Sequence, residues 1–288
     1  MSLYTFIRRY YKGVSWTNQT VSALLKTVDP IDNAVLRVNG LKHLPKFSAR
    51  VRSNGIRGQF GGKRFNHYGK LTAWLLQTHA GLAPNERVLE IGCGTGRTAL
   101  GLAHVLREGR YTGMDIEPYS ISTCLTNPLL QRRKFSFDLI DIYNREYNPT
   151  GKFKPDAYVF PYANESFDVI FMVSVFTHML APDVKHYIRE FARMLKPGGR
   201  VFITTFLMDD GHEFESMKFP FRRDEAFVQQ EELPEFAVGY HYQFYVDQFL
   251  SAGMQPYNGP LKGHWRTSSL PNIVDTFPQD IVVFTKPA

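Results

Sequence analysis

Cysteine is scarce in this chain, with only Cys93 and Cys124 among 288 residues. Two cysteines cannot build a disulfide framework, and they have no metal-ligand spacing. No His-Glu-x-x-His pair or cysteine cluster suggests a metal ion. No run of about 18 apolar residues occurs, so no transmembrane helix is expected. The N-terminus has no apolar core of a secretory signal, and the reading is a reducing, cytoplasmic setting. Acidic residues are nearly missing from the first 60 positions, where Asp29 and Asp32 face ten lysines and arginines. That segment carries +8 within a whole-chain charge of +7, so the remainder carries −1. The basic character belongs to the N-terminal segment alone. It points to an anionic partner or a peripheral membrane surface through residues 1–60, or to a solvated extension.

The remaining composition, 43% hydrophobic and 21% charged, is that of a globular protein. The informative stretch is Val88-Leu89-Glu90-Ile91-Gly92-Cys93-Gly94-Thr95-Gly96-Arg97. A β-forming apolar run, Arg87 to Ile91, meets three glycines at alternate positions, and a helical pattern from Thr98 follows. The pattern predicts a strand, a tight turn and a helix start, with glycines that admit positive φ and let a ligand approach bare backbone. The spacing E-x-G-x-G-x-G differs from the G-x-G-x-x-G of dinucleotide enzymes. Downstream, Tyr111 to Asp115 reads as a short strand with an acid at its C-terminal end, where open parallel sheets bind ligands. Asp115 suits the two hydroxyls of a ribose. Asp156-Ala157 precedes the strand Phe167 to Ser174, and a helical pattern from Pro182 ends at Lys196-Pro197-Gly198-Gly199-Arg200, with Gly expected as its left-handed C-cap.

In this order the motifs resemble class I S-adenosylmethionine-dependent methyltransferases, closest to bacterial small-molecule enzymes, over about residues 61–286. The resemblance implies an α/β, Rossmann-like fold with helices on both faces. Its seven mostly parallel strands would run in the order 3-2-1-4-5-7-6, with the seventh antiparallel. It implies S-adenosylmethionine bound by Glu90, Gly92, Cys93, Gly94, Gly96, Asp115, Ile116 and Ser174. Either Asp156 with Ala157, or Asp141, would meet adenine. Residues 61–288 would form the domain, with acceptor walls around 207–240 and 257–278 and lid residues at Phe65 to Tyr68. Residues 1–60 would be an extension, with short helices before Asp29-Pro30 and a loop from Val51 to Phe60.

The implied reaction is in-line methyl transfer to a small-molecule acceptor, with an oxygen nucleophile favoured and no metal required. A hydroxyl acceptor calls for a general base. His178 is the first candidate and His67, His241 and His264 are alternates. Two other readings stand beside this one. One is a methyltransferase-like binding or assembly protein, against which the intact Glu90, glycines and Asp115 argue. The other is a nucleic-acid methyltransferase using the basic arm. Against it, Ser174-Val175-Phe176-Thr177 stands where D/N-P-P-aromatic is used for exocyclic amines. An oligomer is compatible with the aromatic residues of the arm.

Overall fold

A computed structural model describes residues 19–145, 147–209, 217–266 and 277–288. Residues 1–18, 210–216 and 267–276, which include parts of the expected extension and of both expected acceptor walls, lie outside the described residues. The first element, α1 (Gln19–Val38), runs straight through Pro30 and is not stopped there. Proline withdraws one donor, but the neighbouring acids fix the turn from outside. Asp29 accepts the Ser48 N–H and hydroxyl at 2.9 and 2.8 Å, and Asp32 pairs with Arg50 at 2.7 Å. The loop expected after Val51 is partly helix, α2 (Phe47–Asn54).

Arg50 and Asp32 are both fully buried. Arg50 also donates to the carbonyls of Gln59 and Pro45, and Asp32 accepts the Gly61 N–H at 2.7 Å. An ion pair this dry holds only because its remaining donors and acceptors are satisfied. Asn127 Nδ2 reaches the His43 carbonyl at 2.9 Å, and Leu36 and Leu44 join the apolar cluster of the main domain. The described part of residues 1–60 is packed against the rest of the chain through these contacts.

The helix α3 (Lys63–His79) begins directly after Gly62, which takes φ 69° at its N-cap. Strand β1 (Arg87–Ile91) leads through the glycine turn into α4 (Arg97–Leu102). A Cβ added to Gly101 would lie 2.2 Å from the Gly69 carbonyl oxygen, so α3 and α4 meet backbone to backbone. Next come β2 (Arg110–Asp115), α5 (Pro118–Leu125), α6 (Pro128–Arg132), β3 (Ser136–Leu139) and β4 (Phe167–Met172). The helix α7 (Ala181–Met194) precedes a long strand, β5 (Leu195–Met208).

The helix stop differs from expectation. The chain leaves α7 at Leu195, in extended conformation, and Gly198 takes φ 74° inside the strand rather than at the cap. Lys286 supplies the missing partner. Its Nζ donates to the Ala192 and Leu195 carbonyls at 3.0 and 2.9 Å, satisfying the helix end from a distant strand.

Strands β3-β2-β1-β4-β5 are parallel neighbours, and the last strand, β10 (Asp280–Thr285), joins β5 antiparallel with the two-residue β9 (Gln255–Pro256) beyond it. This is the expected 3-2-1-4-5-7-6 order. The sheet has ten strands among the described residues, not seven. The surplus is β6 (Phe221–Arg223), β7 (Ala226–Val228) and β8 (Val238–His241). They attach where β5 overruns β10: Phe206 to Met208 pair in parallel with Gly239 to His241. The helix α8 (Tyr242–Ser251) follows. Phe171, Phe191, Phe202 and Phe284 are fully buried around the sheet, each contributing roughly 1.5–3 kcal/mol by burial.

Candidate active site

A cavity of about 550 Å³ opens at the C-terminal ends of β1, β2 and β4, where a parallel sheet reverses its strand order. Its floor is the glycine turn. The Gly92 and Cys93 N–H groups donate to the Met114 carbonyl at 2.8 and 3.0 Å, and Gly94 N–H donates to Asp115 Oδ2 at 2.7 Å. Gly92 has φ 75°, and a Cβ there would stand 2.6 Å from Val175 Cγ2. Only glycine fits that position. Gly96 does not line the cavity. It caps α4 and faces Cys124 and Leu130, a packing role. Cys93 lines the floor, but its pairing with the Cys124 thiol and its burial push its own thiol well above the ordinary value. It is no nucleophile.

Two carboxyl groups stand over the turn. Glu90 is 2% exposed and accepts the Tyr111 hydroxyl. Burial pushes it up to about 8, against the opposing pull of Tyr111, Thr98 and the Arg97 charge. Asp115 is raised to about 6, also by burial, although the Gly94 and Glu117 N–H groups favour its ionised form. The Thr95 hydroxyl is buried, unpaired among the described residues and at the cavity wall. A buried polar atom without a partner at a cavity surface is a place for a ligand's polar group.

Farther along β2, Ile116, Ile142, Tyr143 and Asn144 form the wall. The acids expected there are elsewhere. Asp141 turns to Asn148 Nδ2 at 3.4 Å and Lys152 Nζ at 3.7 Å, because the segment after it folds back through the Asn144–Asn148 pair. Asp156 and Ala157 lie exposed on a single turn of 3-10 helix, Pro155–Ala157. Of that turn, only Pro155 touches the cavity.

The opposite end is built from β4 outward. Ser174 takes φ 60° and lends the wall its backbone, since its N–H binds Thr204 Oγ1 at 2.8 Å and its hydroxyl is given to Gln279 Oε1 at 2.7 Å. A non-glycine residue held at that φ stores on the order of 1–2 kcal/mol. His178 sits at the end of the 3-10 turn Phe176–His178. Its Nδ1 lies 3.0 Å from the Glu235 carbonyl oxygen. A carbonyl only accepts, so Nδ1 carries the proton and the neutral ring keeps its lone pair on Nε2. Asp183, Tyr187 and Glu235 complete this end. Burial, with Asp156 and Glu235 nearby, raises Asp183 to about 7.

The alternates His67, His241 and His264 do not line the cavity. His67 lies in a separate open groove with Lys63, Lys70 and Trp74. Phe65 is buried in the core and Tyr68 lies under Arg64, so the expected lid is absent at that place. The edge is supplied by Arg52, Ser53, Asn54 and Gly55 at the end of α2. Arg52 is bound to Glu117 at 2.8 Å. Of the expected acceptor walls, Glu235 comes from the 207–240 region, whereas no described residue of 257–278 reaches the cavity.

Residues 89–203 match the family model described as "Methyltransferase domain". Residues 89–203 thus carry a methyltransferase domain. Two curated relatives match just under half of this chain. One is the 27-O-demethylrifamycin SV methyltransferase of Amycolatopsis mediterranei, 33% identical over 48% of this chain and 46% of that one. The other is an O-methyltransferase of Pyrenophora dematioidea, 30% identical over 45% of this chain and 42% of that one. The matched stretch spans under half the length of each. Among solved structures, the methyltransferase fold is shared with the 1,6-didemethyltoxoflavin-N1-methyltransferase of Burkholderia thailandensis, crystallised with S-adenosylhomocysteine. The TM-score is 0.51 at 16% identity, covering 90% of this chain and 91% of that one. The [4+2]-cyclase SpnF also gives 0.51, at 18% identity and 76% and 81% coverage.

Proposed function

We propose that the chain transfers the methyl group of S-adenosylmethionine to a hydroxyl of a small-molecule acceptor, with His178 as general base. The floor fits the cofactor: a glycine turn closed to any Cβ, the unpaired Thr95 hydroxyl, and two carboxyls facing one cavity. Glu90 would hold the ammonium group of the methionine part. Asp115 would take the ribose hydroxyls, with Ile116 and Ile142 against the adenine. The bound cofactor supplies an electrophilic methyl on a sulfonium, a leaving group that needs no further activation.

The observation that carries the assignment of the base is the tautomer of His178. With Nδ1–H fixed on the Glu235 carbonyl, Nε2 is the only ring atom able to accept a proton, and the residue borders the same cavity as the turn. It would remove the hydroxyl proton as the oxygen attacks, a contribution of about 10²–10⁴ in rate. Tyr143, Tyr147, Val175 and Met179 border the same cavity around it. Calorimetry with S-adenosylmethionine tests the cavity. His178→Ala in a methyl-transfer assay, on an acceptor identified by its turnover, tests the base. Unchanged turnover in that variant would remove the assignment.

A further inference from the structure

The end of the cavity away from the glycine turn carries more acid than a neutral acceptor needs. Asp183 and Glu235 both border it. The charged groups that act on Asp183 are Asp156 and Glu235, both acids, and no cation pairs with it among the described residues. Glu235 is influenced by one cation, Arg145, whose Nη1 is directed to the Glu232 carbonyl at 3.4 Å. The nearby Lys185 is committed to Glu225. Asp183 lies in the first turn of α7, where the helix dipole favours a negative charge but supplies no cation to pair with it.

Tyr187 adds a second, separate observation. Its side chain is buried, at 5% exposure, yet its hydroxyl has no hydrogen-bond partner among the described residues, and it borders the cavity. Asp183 and Tyr187 stand four residues apart on one face of α7, so they project side by side. Tyr143 and Tyr147 bring two further rings to the same cavity. Carboxylates among aromatic faces form the environment that attracts an organic cation, through charge and through the ring quadrupole. A neutral acceptor would gain nothing from the two acids, and an anionic one would be repelled by them.

We propose that the acceptor is a hydroxyl compound that also bears a protonated or quaternary amine, held by Asp183 and Glu235 with the tyrosine rings around it. This rests on the reading of the cavity as a cofactor and acceptor site. It adds the charge of the acceptor and two residues that select for it.

The test uses the full chain saturated with S-adenosylhomocysteine and two matched probe pairs: choline against its neutral isostere 3,3-dimethylbutan-1-ol, and tyramine against N-acetyltyramine. Binding is followed by ligand-observed NMR titration. The cationic member of a pair should bind at least ~10-fold more tightly, the preference expected for one desolvated charge pair. Asp183→Asn should erase that preference and Glu235→Gln should reduce it, with S-adenosylhomocysteine binding showing that each variant is folded. Equal or tighter binding of the neutral members, no binding by any probe, or a preference that survives Asp183→Asn overturns the proposal. Failure of S-adenosylhomocysteine to bind the wild-type protein would sink the reading of the cavity instead, and it is seen in the first titration.

Discussion

The burial of Glu90 makes cofactor affinity a function of pH. Burial raises its carboxyl to about 8, so at pH 7 it is mostly protonated. A carboxylic acid does not pair with an ammonium group, so binding requires Glu90 to give up its proton. One pH unit below its pKa costs about 1.4 kcal/mol. At pH 6 the penalty is therefore about 2.7 kcal/mol, or roughly 100-fold in affinity. The dissociation constant for S-adenosylhomocysteine should fall about tenfold from pH 6 to 7 and flatten near 8. Close to one proton should be released per ligand bound at the acid end. Asp115, raised to about 6, steepens the dependence only below that value. Isothermal titration between pH 6 and 8, repeated in buffers of different ionisation enthalpy, measures both quantities. Affinity that is flat across this range, with no proton released, would refute the role given to Glu90. So would an unchanged slope in Glu90→Gln.

The same residue sets a trade between stability and binding. A folded-state pKa above the unfolded value makes the folded form bind more protons, so Glu90 costs stability as pH rises from about 4.5 to 8. Unliganded Glu90→Gln should accordingly melt roughly 10 °C higher than wild type at pH 8.5, converge with it near pH 5, and bind the cofactor poorly. Gly92→Ala places a Cβ 2.6 Å from Val175 Cγ2 at φ 75°; it should lose about 1–3 kcal/mol in denaturant titration and abolish detectable cofactor binding. Arg50→Ala leaves Asp32 charged in a dry site and should cost about 3–5 kcal/mol. The double change Arg50→Met with Asp32→Asn should recover a large part of that loss by the same measurement. Because residues 52–55 border the cavity, Arg50→Ala should also weaken S-adenosylhomocysteine.

What was legible in the sequence was what the backbone demands within a short span. Gly92 and Gly94 announce themselves because left-handed φ and close approach exclude other residues, and Asp115 because it ends a strand at the sheet's switch point. His178 was placed by its position just after β4. The rest is assembled from distant segments. The buried Arg50–Asp32 pair spans 18 positions and carries α1 through a proline that local preference treats as a stop. Tyr187 falls at helical spacing with the apolar residues of α7, so its spacing marks it as core, and it is buried and borders the cavity too. An acid and a tyrosine four apart on an otherwise apolar face was the available signal. Glu235 arrives on a connection between strands whose pairing no local pattern announces. Asp141 fell short because a turn after it, rich in asparagine, closes on itself and takes the carboxylate away.

Strand β5 does two jobs along its length. Residues 200–205 pair with β10 inside the main sheet, and residues 206–208 alone carry β8. The segment bearing Glu235 thus hangs from the core by three residue pairs of main-chain contact, beyond the last position that the cofactor floor depends on. That overhang is a graft point. Exchange of the chain between it and β8 would re-cut the shape and charge of the acceptor end while leaving the glycine turn, Glu90 and Asp115 as they are.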